Sequence, residues 1–369
     1  MEKQVIIYGA SGYTGKLIAW HLAEYGIPFI AAGRNLQRLE AEMANVPELE
    51  GAEYECVAVE HSEEALTDLF TGKQVVYNVV GPFMQLGDPV ARAALAAGVH
   101  YLDTTGEQDW IFHLRDNYGQ AFADKGLLLC PATSWMWIGG LLAAEIALEN
   151  PLMDTLDIAY LADSNTSVAS TKSFLRMLVK PQYYLEHNEM LEWPVATPFP
   201  VSIPGTHRVL NALPWSGGAE PIWYRDDDRV RNCSVLVAFK NQELLAGIVG
   251  ILQDFEANHK DKPVEEQEGV TNAIGGQLVS EEPERESPQL NRSTVSCHAR
   301  GDVESMTVIL RGNSPYVQTG AFAAEAVRRI LIGDTEGAGF ISPAKAFGAR
   351  KLLSAIAERG LIDWEVKTA

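Results

Sequence analysis

Cysteine and long apolar runs are both scarce in this sequence. Its four cysteines form no CxxC pair and no metal-ligand spacing, so we expect neither a disulfide framework nor a zinc site. The longest apolar stretch, residues 135–148, is interrupted by Glu145 and is shorter than the roughly 20 residues that span a bilayer. We therefore expect a buried helix there and a reduced, cytoplasmic protein. The cysteines are Cys56, Cys130, Cys233 and Cys297.

Positive charge is outnumbered, since 29 Lys and Arg face 49 Asp and Glu, giving a net charge of -20. Such a surface disfavours phosphate backbones and anionic lipids, which excludes a nucleic acid or membrane partner. The N-terminus enters an apolar strand directly, without the pattern of a signal peptide. At 369 residues and 47% apolar composition, the chain has the length of two domains. A small-molecule substrate remains the expected partner.

The first 135 residues alternate between short apolar runs and helical periodicity. This alternation predicts an α/β domain, a doubly wound parallel sheet of the Rossmann type. Strands are predicted at residues 5–8, 28–32, 74–80, 100–103 and 127–130. Helices are predicted at residues 16–24, 88–97 and 109–125.

After about residue 150 the pattern changes to β-branched and aromatic runs at 155–161, 234–239 and 305–310. They predict a second, α+β domain on a mainly antiparallel sheet. Residues 254–288 are acidic and interrupted by proline and glycine, which favours a long surface loop or a lid. Two C-terminal helices, at 316–332 and 343–359, are expected to pack on the first domain. The predicted domains are therefore 1–135, 136–315 and 316–369.

A glycine pattern, G-x-x-G-x-x-G, follows the first predicted strand and opens the first helix. In this context Gly9 makes the tight turn, Gly12 lets the backbone approach a pyrophosphate, and Gly15 lets the helix pack closely. Amides at the helix N-terminus then face the anion. A purely structural glycine turn is the alternative. The other predicted cofactor residues of this loop are Ser11, Tyr13 and Thr14.

The second strand ends at Gly33 and continues into Arg34 and Asn35, with Arg38 one turn later. An enzyme that binds NAD usually places an acid here for the ribose 2′-hydroxyl, and this chain has none. A guanidinium suits a 2′-phosphate instead. We therefore predict NADP as the cofactor, bound by Arg34, Asn35 and Arg38, unless the arginines are ordinary surface residues.

Residues 5–38, 77–83 and 98–107 together resemble the saccharopine dehydrogenase-like oxidoreductases. That family includes saccharopine reductases, which act on an imine, and trans-acting enoyl reductases of lipid synthesis, which act on a carbon–carbon double bond. The resemblance is strong over about 135 residues and thin from there to about 310. It returns at Tyr316 with its helix and at residues 342–348.

The resemblance implies where the cofactor lies. Asn78 and the Gly81, Pro82 and Phe83 loop would lie under the ribose and nicotinamide, and Tyr101, Asp103, Thr104 and Gly106 would lie near the reacting end. Both segments follow predicted parallel strands, so they share the carboxyl edge of the sheet, where open α/β folds bind ligands. Asp103 could equally be a helix or turn cap.

One departure from the family concerns the next strand, which family members often follow with a glycine and an acid. Here Trp135 and Trp137 follow instead. They predict either an apolar wall against the substrate or plain interface core. The second domain adds further aromatic candidates for an apolar or aromatic substrate. These are Tyr183, Trp215 and Trp223, with Tyr184, Trp193 and Tyr224 nearby in sequence.

Reduction of a conjugated C=C or C=N bond needs a donor where negative charge develops, together with a proton source. The candidates are Tyr101 and Tyr316, supported by Asp103 or Lys172. A dicarboxylate substrate would instead need paired arginines. Those available are Arg225, Arg229, Arg231 and Arg311, and the further histidine candidates are His187, His207 and His298.

Three readings of the function follow. We expect a homodimeric NADPH-dependent reductase of a conjugated C=C bond in an apolar substrate, with no metal. The alternatives are an imine-reducing amino-acid dehydrogenase and a non-catalytic protein that senses NADP(H). A short-chain ketone reductase is disfavoured, because the Tyr-x-x-x-Lys pattern with an upstream serine is absent where that chemistry requires it.

Overall fold

The computed structural model describes residues 3–368, which separate into two compact units. The first unit comprises the residues up to Thr105, Trp110–Ile138 and Tyr316–Ile356. The second comprises Gly106–Asp109, Gly139–Pro315 and the residues from Ala357 onward. Neither unit is one continuous stretch of chain.

The strands and helices cover most of the described residues. The strands are β1 (Val5–Tyr8), β2 (Phe29–Gly33), β3 (Tyr54–Ala58), β4 (Val75–Asn78), β5 (His100–Asp103), β6 (Leu128–Cys130), β7 (Thr155–Asp163), β8 (Tyr183–Glu186), β9 (Glu189–Glu192), β10 (Phe199–Val201), β11 (Leu210–Ala212), β12 (Asn232–Phe239), β13 (Arg292–Arg300), β14 (Ser305–Gly312), β15 (Gly339–Phe340) and β16 (Ile362–Thr368). The helices are α1 (Tyr13–Glu24), α2 (Leu36–Ala44), α3 (Glu63–Phe70), α4 (Phe83–Leu86), α5 (Asp88–Ala97), α6 (Gln108–Asp124), α7 (Trp135–Ala147), α8 (Val168–Leu178), α9 (Glu220–Tyr224), α10 (Gln242–Asn258), α11 (Val264–Leu278), α12 (Pro315–Leu331), α13 (Pro343–Phe347) and α14 (Ala349–Glu358).

The first unit is built on a seven-stranded sheet in the order β15-β6-β5-β4-β1-β2-β3. Every neighbouring pair in it is parallel. The central strands β1, β2 and β4 are completely buried, which fits their unbroken apolar sequences and requires helices on both faces. The predicted Rossmann fold class is confirmed. All the loops that follow these strands leave from one edge, which is where the candidate site lies.

The second unit is built on a seven-stranded mixed sheet in the order β16-β14-β13-β7-β12-β8-β9. Within the described chain, β7 and β12 form its parallel pair and the other neighbours are antiparallel. Buried and partly exposed side chains alternate along β7, as expected of a half-buried strand. The predicted mainly antiparallel second sheet is therefore confirmed.

The long loop predicted over residues 254–288 is wrong. Helix α10 continues to Asn258, and α11 occupies most of the remainder. Helix α10 buries Leu245, Ile248, Leu252 and Phe255, which recur at helical spacing. The acidic composition that suggested a loop belongs largely to exposed helix faces, and within this region the described residues that lack regular structure are 259–263 and 279–288.

The C-terminal stretch also differs from the prediction that all of 316–369 packs on the first domain. Helices α12 and α13 do belong to the first unit, but the residues from Ala357 onward belong to the second. The physical reason is strand β16, which pairs antiparallel with β14 from Ile362 to Thr368. Because β16 is hydrogen-bonded to β14, the end of the chain belongs to the second unit.

Candidate active site

The loop between β1 and α1 can be built only with glycine at two positions. Gly9 has a φ of +94°, and a Cβ there would lie 2.7 Å from Val80 Cγ2. A Cβ on Gly15 would lie 2.7 Å from both Ala10 Cα and the Gly9 carbonyl oxygen. Backbone atoms cannot yield as a flexible side chain can, so these glycines let the loop fold back tightly on the sheet.

Gly12 is the position at which the loop can approach a ligand. A Cβ there would meet the Gly9 carbonyl oxygen at 3.3 Å and no other atom of the described chain within 4 Å. Gly12 is the N-cap of α1 without a capping side chain, and the first turn holds no acid. The positive end of the helix dipole is therefore not neutralised by the helix itself, which suits a pyrophosphate. Ser11 and Thr14 are half-buried beside it.

Arg34 follows β2 at the same edge and is exposed, as is Arg38. Asn35 accepts a hydrogen bond from the Arg38 amide at 2.9 Å, so its side chain caps α2. The Tyr8 hydroxyl and His61 Nδ1 are 2.7 Å apart. Burial raises the pKa of Tyr8 to about 12 although the Arg34 charge opposes it, and burial together with that charge lowers the pKa of His61. Burial therefore sets the direction of both shifts, and the Arg34 charge acts on both groups as the second cause.

Asn78 ends β4 and organises the loop that begins there. Its Oδ1 accepts from the Val80 amide at 3.0 Å, and its Nδ2 donates to the Tyr101 hydroxyl at 3.2 Å. The loop continues through a cis peptide between Gly81 and Pro82. Phe83, the last predicted residue of this loop, is buried. The Asn78 side chain therefore joins the β4 and β5 loops within one unit.

Asp103 is the last residue of β5, where the following loop begins, and it has no exposed surface. Its Oδ1 accepts from the amides of Thr105 (3.0 Å) and Ala132 (2.8 Å), and its Oδ2 accepts from Trp110 Nε1 and the Tyr101 hydroxyl, both at 2.9 Å. Burial raises its pKa above the ordinary value although all four donors act in the opposite direction. Four donors and no acceptor indicate that the carboxylate is ionised.

Tyr101 donates its proton to Asp103 and is itself fully buried. Burial, and then the nearby Asp103 charge, hold the pKa of Tyr101 well above its usual range. Thr104, the next predicted residue, is half-buried. Gly106 lies beyond it in the second unit, where its carbonyl accepts a hydrogen bond from Ser216. The structure therefore brings Tyr101, Asp103 and Asn78 together, but as an enclosed hydrogen-bond network.

We call residues 9–15, which join β1 to the first turn of α1, the phosphate loop. Tyr316 lies at the start of α12 beside this loop. Its ring meets the ring of Tyr13 edge-on, with the centroids 4.8 Å apart. The amide of Trp135 donates to Thr319 Oγ1 at 3.1 Å, one turn further along α12. Trp135 and Trp137 are 2% and 0% exposed, and Met136 and Trp137 depart from helical geometry at the start of α7. The first turn of α12 thus connects Tyr316, the phosphate loop and the tryptophan segment.

The aromatic candidates of the second unit are mostly core residues. Trp215 is buried and stacks on Phe174, with ring centroids 3.6 Å apart. Trp223 is also buried, whereas Tyr183 is partly exposed. Lys172 is partly exposed on α8, and its backbone and stem lie close to Gly275 of α11. None of these positions was distinguishable from core by sequence alone.

The arginines that could hold a dicarboxylate are exposed or partly exposed, and two are already paired with acids. Arg229 contacts both Asp227 and Glu145, and these contacts raise its pKa, the Asp227 hydrogen bond most. Arg311 pairs with Glu365 at 2.5 Å. The others are Arg231, which contacts His187, and the exposed Arg225, while His207 and His298 are also exposed.

Sequence reasoning missed two buried titratable sites in the second unit, one around Arg176 and one at Glu220. Arg176, only 1% exposed, contacts Glu107 at 3.1 Å and Asp109 at 2.5 Å, so α8 binds the segment that follows Thr105. Glu220 is fully buried in a run of buried residues, and burial raises its pKa to about 8. A signal existed only for Glu220, as an acid within an apolar run that contains two adjacent glycines.

Comparison with known proteins gives one family model for the C-terminal part of the chain and another for the N-terminal part. Residues 138–369 match the model of a family of unknown function, DUF5938, and the chain belongs to that family. Residues 5–125 match the saccharopine dehydrogenase NADP-binding domain. The predicted cofactor, NADP, and the resemblance to the saccharopine dehydrogenase-like oxidoreductases are thereby confirmed. The glycine loop and Arg34 described above lie within the matched residues.

Curated relatives match about a third of this chain. A lipid droplet localized protein of Caenorhabditis elegans is 30% identical over 36% of this chain and 33% of its own length. Trans-acting enoyl reductases of Mycobacterium ulcerans and Mycobacterium tuberculosis are 34% and 33% identical over 34% of this chain and 30% of theirs. The match thus spans about a third of the length of these relatives.

Among solved structures, saccharopine dehydrogenase (L-Glu forming) from Saccharomyces cerevisiae matches over 100% of both chains, with a TM-score of 0.64 and 14% identity. At that identity the match shows a shared fold. In the part of the chain that the structure describes, no helix has the length and apolarity needed to cross a membrane.

Proposed function

From this family membership and the NADP-binding domain, we propose that the protein is an NADPH-dependent oxidoreductase that reduces a conjugated C=C bond in an apolar or aromatic substrate. The observation that carries the proposal is the match of residues 5–125 to an NADP-binding model, supported by trans-acting enoyl reductases that are similar over about a third of the chain. Protein folds host many reactions, so the site residues must support the choice.

The geometry of the first unit fits the cofactor. Gly12 leaves space at the N-terminus of α1 for the pyrophosphate, and Arg34 is exposed where a 2′-phosphate would lie. Asn78 shapes the loop over which the resemblance places the ribose and nicotinamide. When bound, NADPH supplies a hydride to the electron-poor carbon of the substrate. The protein must then provide a proton and a donor for the developing negative charge.

Tyr316 is our candidate for that donor. It is partly exposed and its ring contacts the phosphate loop, so its hydroxyl belongs to the cofactor edge of the first unit. Tyr101 and Asp103 have no exposed surface, and a phenol enclosed in this way cannot touch a substrate. We therefore propose that Tyr101 and Asp103 position the β4 and β5 loops and are not catalytic. Lys172 remains a weaker candidate, because it lies in the second unit, where its stem is close to Gly275 of α11.

An apolar substrate suits the residues of the second unit better than a dicarboxylate. Tyr183 is partly exposed and the region is rich in aromatic side chains, whereas Arg229 and Arg311 are occupied by acids of the same unit. Imine reduction remains the second candidate, favoured by the domain model of the saccharopine dehydrogenase type. We also propose that the protein is cytoplasmic, as its cysteine pattern led us to expect, and that it forms a homodimer.

The test is an NADPH-oxidation screen of the purified chain against hydrophobic enones, enoyl thioesters, imines and 2-oxo acids with amines. We expect the enone or enoyl class to give the highest kcat/KM. Tyr316→Phe should lower kcat by about 10²-fold with little change in NADPH affinity, since a donor to the developing charge acts in the transition state. Tyr54→Phe, on β3 of the same unit, is the matched control.

Two outcomes would overturn the proposal. If a 2-oxo acid with an amino acid gives a kcat/KM at least tenfold above that of every enone, the enzyme is an imine reductase. The arginines of the second unit then become the candidates for binding the substrate carboxylates. If NADPH binds but no compound accelerates its oxidation, the protein is a cofactor sensor. Unchanged kcat in Tyr316→Phe would remove that residue from the reaction while leaving the substrate class intact.

A further inference from the structure

The first turn of α12 carries contacts to the site that the proposed function does not explain. Tyr316 packs on Tyr13 of the phosphate loop, and Thr319 accepts from the Trp135 amide. Between them, the Val317 carbonyl oxygen lies 3.1 Å from His21 Nε2. His21 lies in the last turn of α1, the helix whose first turn faces the cofactor. One histidine thus connects the far end of α1 to the turn that carries Tyr316.

The two nitrogens of His21 both face hydrogen-bond acceptors. Nε2 faces the Val317 carbonyl, and Nδ1 lies 2.9 Å from Glu24 Oε2. The Glu24 side chain is 43% exposed and also accepts from Trp20 Nε1 at 2.8 Å, so it remains a carboxylate. A neutral imidazole has one N–H and one lone pair, which would oppose one of these acceptors. Both bonds form only when His21 is an imidazolium.

Burial of the His21 ring opposes that charge, whereas its position in the helix and its neighbours favour it. It lies at the C-terminal end of α1, where the helix dipole stabilises a cation, and its ring stacks on Trp20. A Cβ on Gly320 would lie 2.7 Å from His21 Cδ2, so α12 sits directly on the ring. Among the described residues, further charged or titratable groups of these two helices are Glu24 and Tyr25 from α1 and Glu325, Arg328 and Arg329 from α12. Tyr25 donates to Glu325, and both arginines pair with it.

We propose that His21 is a positioning residue that, as an imidazolium, ties the first turn of α12 to α1 and so keeps Tyr316 against the phosphate loop. The proposal rests on the proposed function in one respect, that NADPH binds this loop. Deprotonation leaves one nitrogen lone pair against an acceptor, which weakens the junction. NADPH affinity therefore falls as the pH rises and His21 loses its proton.

Two variants of His21 separate its two bonds. In His21→Gln the side-chain amide reaches toward the Val317 carbonyl, whereas in His21→Asn it reaches only toward Glu24. We expect wild-type NADPH affinity to fall about fivefold between pH 6 and pH 9 relative to His21→Gln, whose affinity should be independent of this titration. His21→Asn should bind about tenfold more weakly at every pH, the value of one charge-assisted hydrogen bond.

The measurements are NADPH titrations by fluorescence across this pH range, with His207→Gln as the control for an exposed histidine. A second readout needs no cofactor: ¹⁵N NMR at pH 7 should report N–H at both ring nitrogens of His21. Thermal unfolding verifies that each variant is folded.

A bare ring nitrogen at pH 7, or a His21→Gln variant with the wild-type pH profile, would overturn the proposal. Equal affinities of His21→Asn and His21→Gln would also overturn it. If the wild-type protein binds no NADPH while NMR reports both N–H groups, the cofactor proposal fails and the protonation state of His21 stands.

Discussion

Each unit of this protein completely buries a carboxyl group, and the two groups lie in opposite environments. In the first unit, Asp103 accepts from four donors. In the second, Glu220 Oε1 accepts from the Tyr160 hydroxyl at 2.7 Å, and its buried Oε2 has no partner among the described residues. The comparison teaches that burial alone does not decide ionisation. Four donors favour the charged form of Asp103 against its burial, whereas burial raises the pKa of Glu220 to about 8.

The largest expected effect is the pH dependence of the free energy of unfolding that Glu220 causes. Replacing Glu220 would remove this difference between the two buried carboxyl groups. Its pKa is raised from 4.5 to about 8, so the stability due to the buried neutral acid is complete below pH 4.5. It is lost as the pH rises to about 8, a change on the order of 5 kcal/mol. Glu220→Gln should abolish this loss, as measured by urea unfolding from pH 5 to pH 9. The exposed Glu189→Gln is the control, and identical pH dependence in wild type and Glu220→Gln would contradict the assignment.

Asp103→Asn should destabilise the first unit by about 3 to 5 kcal/mol, because the new amide group would face two donors in either orientation. Asp163→Asn breaks an ion pair with Lys240 in which both side chains are at least 36% exposed, and it should cost under about 1 kcal/mol. Chemical denaturation at pH 7 gives both values. A cost for Asp103→Asn as small as that of the control would mean that Asp103 is already protonated.

Arg34→Ala compares an exposed arginine proposed to bind the cofactor, Arg34, with an exposed arginine of the second unit, Arg300, that is not. It should remove about 1.5 to 3 kcal/mol of the preference for NADPH over NADH, the range of a hydrogen bond to a charged group. Arg300→Ala in the second unit should leave both cofactor affinities unchanged. Isothermal titration with each cofactor provides the comparison, and equal binding of NADPH and NADH by the wild type would refute it.

The smallest effect compares glycines in the two units. Gly247 lies within α10, and an added Cβ would meet no atom of the described chain within 4 Å. Gly247→Ala should therefore stabilise the protein by about 0.5 to 1 kcal/mol. Gly15→Ala should act in the opposite direction, since its Cβ meets backbone atoms at 2.7 Å. Thermal unfolding distinguishes the two signs, and a loss of stability in Gly247→Ala would show that this helix face is covered.

Local signals account for what the sequence predicted well. Helix α5 and strand β5 have the predicted bounds, because glycine ends the helix at Gly98 with a φ of +75° and the strand is built around the buried Tyr101 and Leu102. The cofactor edge followed from the positions where parallel strands end. The loop prediction over 254–288 failed because acidic composition was taken for disorder when apolar residues at helical spacing were present.

Long-range partners account for what the sequence could not predict. Nothing near Asp103 indicates that the amide of Ala132 will bind it, and nothing near His21 indicates the Val317 carbonyl. The enclosure of Tyr101 follows from these contacts, so its expected role as a donor could only be revised with the fold known. For the same reason, replacing the buried Trp135 by alanine would test stability, at roughly 3 to 5 kcal/mol, before it tested substrate binding.

The interrupted course of the chain has a consequence during synthesis. Strand β15 pairs with β6 in the first sheet, and α12 also belongs to the first unit. In the chain, most of the second unit lies after β6 and before α12, so it is translated before the first unit is complete. A ribosome therefore releases the residues of the phosphate loop long before the elements that cover them. The nascent first half must stay protected from aggregation until its C-terminal helices emerge. Truncation after residue 135 would remove both α12 and β15 from the first unit.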